Sequence, residues 1–543
     1  MTATLVTYWH TLRHLRPRQV LYQVWRQLRP PRLQETVPWS PRWRDQALIP
    51  GPSRPRTYLE QGAFRFLHRP GDTRGLEDWQ PAGQSHLWLY NLHYFDYLRQ
   101  PGMASEAGLE LITAWIRHHR PAVGAVGWEP YPTSLRLVNW LKFLASGPVP
   151  PSPVLDSLGL QAVNLARQVE YQILGNHLFA NGKALWFAGR FLDREDLARR
   201  GRRIVLSQLP EQFLPDGGHF ELSPMYHALM LEDLLDLINL CQTSPPAQDR
   251  AARDHLTPVA RRALGWLGGI SDAAGCFPLV NDAAYGIAPE WGDLADYARR
   301  LELAPDFSPT TVAEVGGWQG CNLSGYWLLE RGPLRLLFDT APLGPRYLPG
   351  HAHCDMLAIQ LEAEGRPVFT DTGVYEYAEG PRRHYSRSTL AHNTVRLDGH
   401  EQAELWKSFR MGRRGGPTDF RREENRLACS HTGFAIWQPG LLHEREIALK
   451  DQGFEVTDSV RGPGSHSFQS VFHCHPDTEI QTLGEHRYRL NGRLLLTIWG
   501  AAVDIIDTDY YPEFGRLERR PSFILRGDFS RQGRFGISCT YSS

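Results

Sequence analysis

At 543 residues, 42% of them hydrophobic, the chain can bury a large core and divide into two or three domains. Lys+Arg 59 balances Asp+Glu 59, which excludes a nucleic-acid partner held mainly by bulk charge. Seven cysteines without a CxxC pair indicate neither a zinc ribbon nor a disulfide framework, and the odd count favours mostly free thiols.

The opening residues reach His10 and Arg13 before any apolar stretch accumulates, so no secretory signal peptide is read and a cytoplasmic location is the default expectation. No apolar run is long enough to span a bilayer, and nothing points to a particular oligomeric state. From Tyr8 to about Arg56 the chain is rich in Arg and Pro, with an amphipathic patch from Val20 to Leu28. The interrupting prolines and the acidic residues that follow favour a strap packed on the main body over a membrane-surface helix.

From His86 onward the spacing predicts helices over 87–98, 109–116, 134–145, 158–174, 182–192, 226–240 and 259–267, joined by short Pro- or Gly-containing connections. Consecutive helices without strands imply a helical array or a closed helical toroid, and the lack of a fixed period argues against a regular solenoid. Near Gly316-Gly317-Trp318 the pattern changes to short runs at 326–330, 334–338, 394–397, 434–437 and 494–499, bounded by Gly, Asp, Asn and Pro. These predict an antiparallel β domain. The expected division is an N-terminal strap at 1–85, a helical domain at 86–310 and a β domain at 311–543, with the boundary between Ala304 and Gly316.

Two polar clusters stand out. In the β half, Gly350-His351-Ala352-His353-Cys354-Asp355 opens the apolar run 356–361, read as a strand that turns at Glu364-Gly365 and returns through Asp371. On an extended chain His351 and His353 share a face. Asp371 falls opposite roughly Ala358; if the His-Ala-His segment bends back over the hairpin's end, His353, Asp371 and His392 form a donor set suited to zinc or manganese. Any one of these could be a polar residue at a strand end, but three donors flanking one hairpin favour the set. In the helical half, the segments Gly175–Ala184 and Asp216–His227 each begin a helix after a loop, where free N–H groups favour an anionic ligand. Asn176 alone reads equally well as a cap.

The motifs Asn176-His177-Leu178 with Asn181-Gly182-Lys183-Ala184, Asp216 to Glu221 running into Ser223-Pro224-Met225-Tyr226-His227, His351 to Asp355, Asp371 to Tyr375, and Arg387 to Thr394 together resemble the heparinase II/III-like polysaccharide lyases, relatives of some alginate lyases. The resemblance implies an α+β multidomain protein: an N-terminal α/α toroid, an incomplete helical barrel, followed by a C-terminal antiparallel β-sandwich with the active cleft between them. It implies β-elimination of a uronic-acid-containing polysaccharide, of glycosaminoglycan type first and alginate or a bacterial exopolysaccharide second. Asn176 and His177 match the pair that binds the uronate carboxylate, and Tyr226 and His351 the acid–base pair. His353, Asp371 and His392 match ligands of a divalent ion, zinc or manganese, whose role is to brace the loop carrying His351.

Further candidates are Glu221, to orient His177 or Tyr226; Arg136, to bind a substrate anion or else to form a structural salt bridge; and Tyr90 and Trp128, to stack on sugars or else to fill the core. His227 reads as a core residue. The chemistry explains the residue types: C5 of a uronate gives up its proton only when the adjacent carboxylate is neutralised by donors, while one group takes that proton and another protonates the leaving O4. The alternatives are a non-catalytic carbohydrate-binding protein of a polysaccharide-assembly system and a metal-dependent hydrolase.

Overall fold

A computed structural model describes residues 2–242, 246–308 and 311–542. Residues 309 and 310, inside the expected domain boundary, lie outside the described set. Among the described residues nine helices build the helical domain: His86–Tyr94, Ser105–His118, Pro130–Leu144, Ser152–Arg167, Gly175–Phe191, Glu195–Gln212, Pro224–Leu240, Ala247–Ile270 and Trp291–Arg300. Sequence neighbours pack side by side to give the incomplete α/α toroid. Pro130–Leu144, Gly175–Phe191 and Pro224–Leu240 bury nearly all round, which is why they lack a polar stripe. Glu195–Gln212 was not expected as a helix, because its run of arginines hides the apolar repeat of Leu197, Ile204, Val205 and Leu209. Strands do occur in this half: Tyr58–Glu60, Ala63–Phe66 and Arg69–Asp72 form a small sheet that plugs Phe64 and Phe66 into the helical core.

The second half is a sandwich of two antiparallel sheets. Six strands form a simple meander from Thr311–Val315 to Arg366–Phe369, closed by the expected turn, where Ala363 pairs with Arg366 across Glu364 and Gly365. The ten-stranded sheet is centred on two long strands, Gly453–His473 and Glu518–Tyr541. Inward-facing residues of both sheets share one core that includes Trp318, Leu336, Ile359, Val456 and Phe523. The run 434–437, expected as a strand, is a 3-10 turn at Phe434–Ile436 that caps this core with Phe434. All seven cysteines are unpaired.

The N-terminal strap is two helices, Thr2–Leu12 and Pro17–Leu28, laid across both halves with Thr7, Thr11 and Gln19 turned inward. Thr7 and Thr11 bond Glu404 and the Met411 carbonyl, and Gln19 is buried against the Ile173 and Tyr347 carbonyls. Leu5, Trp9, Leu12, Leu21, Val24, Trp25 and Leu28 point outward. Among the described residues no helix is long and apolar enough to cross a membrane.

The halves are joined by polar bonds at their seam. Asn281, from the loop before helix Trp291–Arg300, donates to the Leu222 carbonyl and accepts from the His353 amide. Ser324 bonds Asp216 at 2.6 Å through its amide, and Tyr326 donates to the Leu222 carbonyl.

Candidate active site

The seam opens into a cleft of about 1210 Å³ lined from both halves, by Tyr90, Tyr131, Asn176, His177, Glu221 and Tyr226 on one side and by His351, Tyr377 and Phe409 on the other. Asn176 and His177 enter it from the first turn of Gly175–Phe191. Gly175 is required there: at φ +56, an added Cβ would lie 2.7 Å from Glu221 Oε1 and 2.5 Å from Leu348 Cδ2. His177 Nδ1 lies 3.1 Å from Glu170 Oε1, and its ring stacks on Tyr131 with centroids 4.2 Å apart. Burial opposes charge on His177, but Glu170, then Glu221 and Glu129, outweigh it and raise its pKa.

Tyr226 sits in the first turn of Pro224–Leu240, behind the Ser223 cap. Its ring stacks on His351 at 3.9 Å and its hydroxyl meets that of Tyr377 at 3.2 Å. Burial and the neighbouring Tyr377 and Asp282 hold the phenol well above its usual range, so it is protonated. The His351 ring is held by a carboxylate that sequence reading missed. Asp282, fully buried, accepts from His351 Nδ1 at 2.8 Å and His353 Nε2 at 2.8 Å, while Arg383 donates to both its oxygens. Burial alone would raise Asp282, but Arg383 and the two histidines reverse this and keep it anionic. His351 and His353 do therefore share a face, aimed at one carboxylate.

With Nδ1–H donated to Asp282, His351 presents Nε2 as its other ring atom, 3.5 Å from Glu221 Oε2. Glu221 is buried, and burial raises its pKa. A small apolar cluster of Leu343, Ala352, Cys354, Met356, Ala403 and Met411 packs behind the histidine loop.

Two expected substrate contacts are corrected. Arg136 is fully buried in the toroid wall, bonded to Gln161 at 2.9 Å and stacked over Trp115, because its helix buries this face as well. Trp128 is core, 5.4 Å from the Trp115 ring and donating to the His119 carbonyl. Tyr90 does face the cleft, where its hydroxyl is bonded to Glu129 at 2.5 Å. His227 is buried between Trp266, the Ala263 carbonyl and the His219 amide.

The expected metal donors lie behind the cleft. His353 and His392 have ring centroids 5.3 Å apart, with His353 Nδ1 and His392 Nε2 buried and without a hydrogen-bond partner among the described residues. His392 Nδ1 lies 2.9 Å from both oxygens of Asp371. Among the described residues no three His, Cys, Asp or Glu side chains are arranged as a ready metal cage.

The arrangement defines a class: an α/α toroid closed on an antiparallel β-sandwich, with one polar cleft at the seam. The heparinase II/III N-terminus model matches residues 120–283 and the heparinase II/III-like C-terminal model matches residues 319–537. The chain belongs to the heparinase II/III-like family. Relatives include heparin-sulfate lyases of Bacteroides stercoris, 25% identical over 249 residues, and Bacteroides thetaiotaomicron, 19% identical over 388 residues. These alignments cover 42% and 63% of this chain but only 36% and 55% of the relatives' own lengths. Among solved structures, a heparinase III superposes with a TM-score of 0.65 at 16% identity, covering 86% of this chain and 79% of that one. Another heparinase III gives 0.61 at 17%, covering 85% and 80%. These likenesses bear on the fold.

Proposed function

We propose that the protein is a polysaccharide lyase that cleaves a uronic-acid-containing polymer by β-elimination, with a glycosaminoglycan as the first-choice substrate. The observation that carries this reading is the pairing of Tyr226 and His351 as a stacked couple at the cleft floor, with the imidazole anchored by Asp282. Binding alone does not need a protonated phenol laid against an oriented imidazole. The heparin-sulfate lyase names of the two Bacteroides relatives point to the same polymer class.

In this mechanism Asn176 and His177, whose charged form Glu170 favours, donate to the uronate carboxylate and stabilise the charge that develops when C5 loses its proton. Glu221 belongs beside them. As an ionised group it would repel a uronate; burial raises its pKa and so favours the neutral form, which can donate an O–H. His351 Nε2 is the group ready to accept a proton, and the Tyr226 hydroxyl is ready to give one to O4. Tyr90 would contact the sugars from the opposite wall.

His353, Asp371 and His392 would hold a divalent ion, zinc or manganese. The two unpartnered imidazole nitrogens support this, although binding requires the His392–Asp371 contact to rearrange. Such an ion would brace the loop that carries His351. The test of the lyase reading is an ultraviolet assay for unsaturated uronate ends on a panel of heparan sulfate, other glycosaminoglycans, alginate and bacterial exopolysaccharides. Mass spectrometry of the products separates elimination from hydrolysis, which adds a water. Saturated products, or no products from any uronate polymer, would refute it.

A further inference from the structure

At one end of the cleft the basic side chains outnumber their acidic partners. His14, Arg346 and Arg414 line the wall where the strap's two helices meet the histidine loop and strand Arg410–Arg414, and Arg13 Nε lies 3.4 Å from His14. The nearby carboxylates are taken. Glu211 bonds Arg16 and Tyr347, and Glu404 bonds Arg413 and Thr7. Among the described residues, none of Arg13, Arg346 and Arg414 has a carboxylate within ion-pair distance. Among the described residues, Arg414 Nε and Nη1 are buried without a hydrogen-bond partner.

Burial, then Arg414, Arg13 and Arg346, lower the His14 pKa to about 4; burial, then Arg346 and Arg13, bring Arg414 down to about 10. The groups therefore feel one another as an uncompensated positive field in a protein whose net charge is zero. The far end of the cleft differs. There Asp96, Glu232, Asp233 and Asp236 are matched by Arg54, Arg99, Lys142 and Lys183.

We propose that Arg13, His14, Arg346 and Arg414 form a subsite for an oxyanion, a sulfate ester or carboxylate, carried by a sugar flanking the one that is cut. The inference rests on the lyase reading for its substrate but not for its test. Arg346 precedes His351 by five residues, a reach of at most about 17 Å along extended chain, so the anion belongs to a nearby ring of the same polymer. Unpaired buried guanidinium N–H groups are costly unless an acceptor reaches them, and a sulfate or carboxylate supplies two or three oxygens at once.

The experiment is calorimetric binding to the full chain carrying Tyr226→Phe, so that turnover does not intrude. The probes are a size-defined heparin oligosaccharide, its desulfated form and its carboxyl-reduced form. Arg346→Gln, at an exposed position that leaves the fold untouched, and Arg414→Gln are compared with the parent. Affinity should fall by tenfold or more in each variant for the intact oligosaccharide. A loss kept on the carboxyl-reduced probe assigns the site to sulfate; a loss kept on the desulfated probe assigns it to carboxylate. Parent and variants binding all probes within twofold of one another, or a parent that binds none, overturns the proposal. Because nothing is cleaved, a site that binds in a protein yielding no unsaturated ends would sink the lyase reading alone.

Discussion

Replacing Asp282 by Asn tests the centre of the site most directly. The carboxylate is fully buried and takes hydrogen bonds from Arg383, His351 and His353. An amide of the same size has one acceptor oxygen and no charge, so Arg383 is left as a buried cation without a counterion. Breaking a buried pair by removing one partner costs about 3–5 kcal/mol. Against a total stability of about 5–15 kcal/mol, a loss near 3 kcal/mol would move the denaturant midpoint visibly. Arg383→Met should cost a similar amount. The double variant should recover at least about 1 kcal/mol relative to the sum, because neither charge is then stranded. Turnover should fall by about 10² to 10⁴ in Asp282→Asn, since His351 loses the acceptor that fixes its tautomer. Denaturation curves of the three variants, with initial rates from the unsaturated-end assay, measure all of this. Additive stability losses, or an Asp282→Asn protein as active as wild type, would refute the assignment of Asp282 as the anchor.

Tyr226→Phe should remove nearly all turnover while melting close to wild type, because among the described residues the hydroxyl bonds only Tyr377; wild-type-like rates would take Tyr226 out of the chemistry. His353→Ala should lower both metal content and thermal stability, whereas His351→Ala should lose activity and keep its metal. Elemental analysis and melts of the purified proteins decide, and equal metal loss in both merges the two roles. The raised pKa of His177 contributes stability that is complete below the unfolded value of about 6.5 and fades as pH rises through the folded one. Glu170→Gln should therefore be most destabilising near pH 6 and progressively less so above it; a stability gap that stays constant up to pH 9 would contradict this.

The parts of the fold that were legible are those whose local pattern and tertiary setting agree. Helix Pro224–Leu240 and strand Leu494–Trp499 carry their periodicity in the side chains that pack, and Glu364-Gly365 turns because it must. The run 434–437 misled because an apolar run of four cannot say whether it is a strand or a plug. Arg136 misled for a related reason: spacing tells which residues share a helix face, but not whether that face lines a cleft or a neighbouring helix. Asp282 was invisible because nothing near it in sequence needs a carboxylate. Its partners arrive from 69, 71 and 101 positions away. The histidine pair itself could be read, since two imidazoles two residues apart are placed together by the backbone alone.

The strap imposes an order on synthesis. Thr7 bonds Glu404 across 397 positions and Thr11 bonds the Met411 carbonyl across 400, so the first helix has no docking partner until most of the chain exists. At about 5–20 residues per second, that is a wait of about 20–80 s on the ribosome. Throughout it, Leu5 and Trp9 stand in water, and Thr11 waits for the Met411 carbonyl. Nascent chains stalled before residue 404 are therefore the species on which a holdase should be found, and release should follow completion of the ribbon Ala403–Trp406 and Arg410–Arg414 rather than completion of the toroid.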